Sequence, residues 1–199
     1  MVLSALGDAC STLVFAKKTV MNEKSIVTIS AAGLLLGCVS GIAGSVVPSA
    51  TFRSLAWALD SGALILAGAL LAMYYLRKGY VIMAAGYLIF LIGETVVFSC
   101  CATNLDDNIS AFGTGTFLWA TSISILSTQK IFPLFIRCTG MTSAALFFVV
   151  SLLIITGHPV NALTKPLPFY AYPFYAITLA GWAWTSLTKH SRLQMKRGA

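Results

Sequence analysis

An all-α polytopic membrane protein, a six-transmembrane-helix bundle with a short amphipathic N-terminal helix, is the fold class this sequence predicts, and three observations predict it. Of 199 residues, 58% are hydrophobic and only 10% charged. With a mean hydropathy of +0.86, the chain lies well outside the range of soluble domains. Apolar windows of about 18 to 25 residues, the length that crosses a hydrocarbon core of roughly 30 Å, recur six times. The basic residues then fall on alternate loops.

The first 26 residues form their own segment. Val2 to Ala16 is apolar but too short and too polar to span. Val2, Leu3, Leu6, Cys10, Leu13 and Val14 share one helical stripe, while Ser4, Asp8, Ser11 and Thr12 share the other face, so the segment is expected to lie along the membrane surface. A cleaved signal peptide is the competing reading. Such a peptide carries its positive charge before the apolar run, whereas Lys17 and Lys18 follow it here.

The six spans are Val27 to Val47, Ser54 to Leu76, Tyr80 to Ala102, Ala111 to Thr128, Ile131 to Thr156 and Pro168 to Leu187. Together they make a transmembrane domain over residues 27–187, followed by a basic cytoplasmic tail over 188–199. The fourth is the most dilute, because Gly113, Thr114, Gly115, Thr116, Thr121, Ser122, Ser124 and Ser127 lower its hydropathy. Lys and Arg are retained on the cytoplasmic side of short loops, which tests the count independently. With both termini inside, Lys17, Lys18, Lys24, Arg77, Lys78, Lys130, Lys189, Arg192, Lys196 and Arg197 are cytoplasmic, ten against two, leaving Arg53 and Lys165 outside. Arg137 snorkels from the fifth span. Removing the fourth span would scramble this pattern.

The net charge of +7 is therefore mostly a topology signal. The lipid bilayer is the partner it implies; the charges are divided among short loops, which excludes a nucleic-acid patch. Cys10, Cys38, Cys100, Cys101 and Cys138 have no zinc or C-x-x-C spacing and read as packing residues. Asn108-Ile-Ser110 matches a glycosylation pattern on an outer loop.

Packing signals come next. Gly33, Gly37, Gly41 and Ser45 recur every four residues, a small-residue ridge that lets another helix approach closely. Its partner is a span of the same molecule or a second protomer, the former favoured by the number of spans available. Pro173 lies about a turn inside the sixth span, where a kink or irregular turn is expected. Phe169, Tyr170, Tyr172 and Tyr175 on the outer side, with Trp182 and Trp184 on the inner side, read as a membrane belt, with a ligand-stacking cage as the sharper alternative for the outer four. Thr114, Thr121, Ser124 and Thr128 draw a polar line expected to turn inward.

Two acids inside the spans are the candidate site. A carboxylate at membrane depth costs several kcal/mol and persists where it faces a partner, a cavity or a ligand. Asp60 lies about 10 Å below the outer surface and Glu94 about 14 Å, reckoned from Arg53 and Thr103 at about 1.5 Å per residue. Spans two and three are joined by a tight turn around Arg77, Lys78 and Gly79, so the two acids should share one layer. Neither stripe contains a basic residue. Both cannot be ionised there without repulsion, so a held or shared proton is the expectation. The available partners are Arg53, His158, Tyr170 and Tyr172.

Two readings of this layer stay open at this point: a proton- or cation-coupled binding or transport site open to the outside, and polar residues that hold helices together. Catalysis has no motif behind it, neither H-E-x-x-H nor G-x-S-x-G, and His158 and His190 lie at opposite membrane ends, which excludes a paired-histidine haem. No cofactor is identifiable, so an assembly subunit of a larger membrane complex or homo-oligomer, and a small lipid-modifying enzyme, are the other function classes.

Gly86-Tyr87 through Gly93-Glu94, then Ile131-Phe132-Pro133 with Gly140, and Trp182 with Trp184 before a basic tail, complete the pattern. On these residues the chain resembles small six-span bacterial membrane proteins of unknown function. That resemblance implies an inner (plasma) membrane location and brings no activity with it.

Overall fold

Helix α1 (Glu23–Val46) opens a run of six helices, continued by α2 (Ala50–Arg77), α3 (Val81–Cys101), α4 (Ile109–Ser127), α5 (Leu134–Ile155) and α6 (Ala171–Arg197). The computed structural model describes residues 22–101 and 108–197, and no strand occurs among them. Five helices, α1 to α5, are long and apolar enough to cross a membrane. The dilute α4 qualifies with a hydropathy of 1.3, the lowest of the five. Helix α6 does not, because its Tyr, Trp, Ser and Thr residues dilute it. The chain is thus a helical bundle of membrane type, and the surface segment expected before Met21 lies outside the described residues. Residues 23–26 already belong to α1, and α6 runs on through the basic tail to Arg197.

Local chemistry sets the boundaries. The Asn22 side chain accepts from Lys24 N at 3.2 Å, and Glu23 in the first turn complements the positive end of α1. At the other end of α2, Tyr80 N donates to Tyr75 O at 2.9 Å and Gly79 takes φ +79, a closed C-terminal motif that turns the chain straight into α3. Lys78 at this turn pairs with Glu23 at 2.7 Å, tying the start of α1 to the end of α2.

Each helix packs on its neighbours in sequence, and α6 packs on α1 as well as α5, so the bundle closes as a ring. The α1 glycines face α2. A Cβ on Gly33 would lie 2.9 Å from the Ala63 carbonyl, and Gly44 lies against Trp57. The ridge is therefore occupied within the molecule. Opposite walls of the ring are bridged by aromatic side chains. Tyr87 and Phe90 of α3 reach Trp182 of α6 at ring separations of 5.5 and 5.8 Å, and Phe132 reaches it at 5.9 Å.

Three sequence expectations change here. Trp182 is fully buried and only Trp184 faces outward; Tyr175 is buried too, while Tyr170 stays exposed. The belt is thus split: Tyr175 and Trp182 fill the core, Phe169 and Tyr172 are half-buried, and Tyr170 and Trp184 face outward. The line Thr114, Thr121, Ser124 and Thr128 faces outward or sideways, and Thr114, Thr121 and Thr128 bond carbonyls of their own helix at 2.7 to 3.1 Å. That back-bonding removes the need for an inward partner. The inward polar residues of α4 are instead Thr116, Ser122 and Ser127, with Thr116 Oγ1 2.9 Å from Ser151 Oγ of α5. Pro173 is the third residue of α6, in the first turn, where its missing N–H breaks no helical hydrogen bond.

Candidate functional site

Glu94 sits two turns from the end of α3 and is 1% exposed. Tyr175, on the first turns of α6, donates its hydroxyl hydrogen to Glu94 Oε1. This joins α3 to α6 across the ring, 81 positions apart in sequence. The phenol is held by rings on several sides: Trp119 stacks on it at 5.3 Å, while Phe147 meets it edge-on at 5.7 Å. Its orientation is therefore fixed by packing, and the hydrogen bond falls where the rings place it.

Asp60 approaches from α2 and is half-buried. Its carboxylate lies against the bare backbone of α1, since a Cβ on Gly41 would come within 2.8 Å of Oδ2 and one on Gly37 within 3.1 Å of Oδ1. Two glycines of the ridge thus make room for a carboxylate as well as for a helix. Among the described residues none hydrogen-bonds Asp60. It borders a cavity of about 10 Å³, lined also by Gly37, Cys38, Gly41, Ile42, Tyr172, Tyr175, Ala176 and Leu179, room for a single water. The Cys38 thiol donates to Ala176 O at 3.4 Å on the same wall. Asp60 and Tyr175 line the same cavity, and Tyr175 is also the residue that bonds Glu94.

The structure brings together Asp60, Glu94 and Tyr172 of the residues singled out from sequence. Arg53 does not join them: its guanidinium lies 6.0 Å over the Trp57 ring. His158 is exposed, with Nδ1 3.1 Å from Thr156 Oγ1 and 3.3 Å from Leu153 O at the end of α5. Tyr170 is 57% exposed and packs on Phe169. The residue missed as Glu94's donor is Tyr175. Its signal was present in the spacing of Ala171, Tyr175, Thr178 and Trp182, a stripe three to four residues apart that is buried throughout.

Chemically, the arrangement is a phenol–carboxyl hydrogen bond with a second carboxyl nearby, in apolar walls and with no cationic side chain among the described lining residues. Groups of this kind are chemically able to hold a proton, or a small cation in its place. No group of three or more His, Cys, Asp or Glu with metal-binding geometry occurs among the described residues. Comparison with known protein families, characterised proteins and solved structures gives no match to this chain.

Proposed function

We propose that this integral membrane protein binds and carries a proton or a small monovalent cation, with Asp60, Glu94 and Tyr175 as the site. The observation that carries this reading is Glu94, wholly buried with the Tyr175 hydroxyl on one oxygen, and Asp60 on the cavity that Tyr175 lines. A residue needed only to hold helices together would be better served by a neutral amide or hydroxyl, since a carboxyl at this depth is costly. In this reading α6 is the sixth span, both termini are cytoplasmic in the plasma membrane, and Asp60 faces the outer half of the bilayer. The cavity, the size of one water, favours a proton or bare ion over a lipid headgroup or organic solute.

The test is ion flux in proteoliposomes carrying a trapped pH dye, driven by an imposed potential, for wild type, Asp60→Asn and Glu94→Gln. Flux is expected to fall at least about tenfold in both variants, each removing a proton-transferring group. Unchanged flux across a pH series in both would defeat the proposal. The glycine ridge is consumed by α2, so no observation favours its use as a docking face for a partner subunit.

A further inference from the structure

Of the two acids, Asp60 borders the cavity and Glu94 does not. Tyr175 belongs to both places: it lines the cavity with Asp60 and donates its hydroxyl hydrogen to Glu94 Oε1. The burial of the acids matches this division. Asp60 is half-buried on the cavity wall, whereas Glu94 is 1% exposed and sealed behind the phenol.

What can pass this junction is set by the ring. Trp119 stacks on it at 5.3 Å, Phe147 meets it edge-on at 5.7 Å, and Phe90 and Tyr172 each lie 6.4 Å away. A metal ion moving from Asp60 to Glu94 past Tyr175 would need that ring to swing out from among four close-packed neighbours. A proton needs no such movement, because a hydroxyl accepts one on its oxygen while giving up the one it holds. The cavity has room for the single water that would complete the link from Asp60. Its other titratable wall groups are Cys38 of α1 and Tyr172 of α6, and the Cys38 thiol hydrogen is given to Ala176 O at 3.4 Å.

We propose that the species handed from Asp60 to Glu94 is a proton, relayed by one water in the cavity and by the Tyr175 hydroxyl. This rests on the reading of Asp60, Glu94 and Tyr175 as one site, and it names the cargo. With Asp60 protonated and Glu94 ionised, Asp60 gives its proton to the water. The water passes one of its own protons to the Tyr175 oxygen, and Tyr175 gives its original hydroxyl proton to Glu94 Oε1. Water and phenol each gain one proton and lose one, so the net change is a negative charge moved from Glu94 to Asp60. Once Glu94 has released its proton, rotation of the hydroxyl hydrogen about the C–O bond resets the phenol with its ring unmoved.

Time-resolved infrared spectroscopy of proteoliposomes after a pH jump tests this order of events. Asp60→Asn and Glu94→Gln each delete one carboxyl band and so assign the two. Tyr175→Phe keeps the ring and deletes the hydroxyl. In that variant the Asp60 band is expected to appear at the wild-type rate and the Glu94 band at least about tenfold later. A role for Tyr175 in packing alone would not part the two rates. A Glu94 band at the wild-type rate, equal slowing of both bands, or no pH-driven Glu94 band in the wild type would overturn the inference. If Tyr175→Phe does not fold, Asp60→Asn carries the test: its Glu94 band should be delayed likewise, and a wild-type rate would defeat the relay. Wild-type flux into vesicles with trapped pH dye, driven by a thiocyanate gradient, should be the same in sodium buffer and in buffer free of alkali cations. A requirement for sodium or potassium, with both acid variants silent, would overturn the proton cargo and leave the site standing. Unchanged flux in both acid variants would instead defeat the site reading itself.

Discussion

The bond between Tyr175 and Glu94 sets up a double-mutant cycle whose outcome can be worked out in advance. Tyr175→Phe deletes one oxygen and leaves the ring among Trp119, Phe147, Tyr172 and Phe90. Little packing is lost, so the cost is that of a buried acceptor left without its donor. That cost is about 1 to 3 kcal/mol. Glu94→Gln behaves differently, because the amide keeps a carbonyl oxygen that the Tyr175 hydroxyl can reach. Its cost should stay below about 1 kcal/mol, the net worth of a neutral hydrogen bond. The two substitutions share one contact and should couple by about 0.5 to 3 kcal/mol. The assay is reversible unfolding in mixed micelles, comparing wild type, both single variants and the double variant at one pH. Additive effects, or a Tyr175→Phe change smaller than the Glu94→Gln change, would refute the assignment of Tyr175 as Glu94's donor.

Further outcomes follow from neighbouring features. Gly33→Ala places a methyl against the Ala63 backbone carbonyl, which cannot rotate away, and should cost about 1 to 3 kcal/mol of stability by unfolding titration; a neutral result would mean α1 and α2 are not packed this closely. Gly41→Ala presses on the Asp60 carboxylate and should impair flux more than it impairs stability, a split that equal losses in both assays would contradict. Trp182→Ala removes a fully buried ring and should cost about 3 to 5 kcal/mol, whereas Trp184→Ala, on the exposed face, should fall within about 0.5 kcal/mol of wild type. Lys78→Ala breaks a partly exposed ion pair with Glu23 and should cost no more than about 1 kcal/mol. For topology, single cysteines at Lys165 and Ser191 should react with an impermeant maleimide from opposite sides of the membrane; labelling from one side would remove α6 as a span.

The helices were legible because membrane length and apolarity are written residue by residue, and Pro48, Gly79 and Pro133 mark the turns between them. The α6 boundary was not, since Trp, Tyr and Thr lower its hydropathy while packing brings it into the ring. The acids were visible as misfits in apolar stretches, and Tyr172 could be named as a neighbour. Tyr175 was hidden by resemblance to an interfacial belt: a tyrosine near a helix end reads the same from sequence whether it faces headgroups or the core. The Thr114 line misled because a hydroxyl can satisfy itself on its own helix, so polarity alone does not say which way a helix face turns. Arg53 and His158 are near Asp60 in sequence or expected depth, yet Trp57 and the end of α5 hold them elsewhere.

Closure of the ring by its last helix has a consequence for biogenesis. Glu94 is translated 81 residues ahead of Tyr175, roughly 4 to 16 s at about 5 to 20 residues per second. Through that interval α3 holds an acid in the membrane with its donor not yet made. The helix is at its least secure then, and a chain stopped before α6 would leave the insertion machinery with an open ring and an unpaired carboxyl. The same hydrogen bond that builds the site thus ties the security of α3 to the arrival of α6.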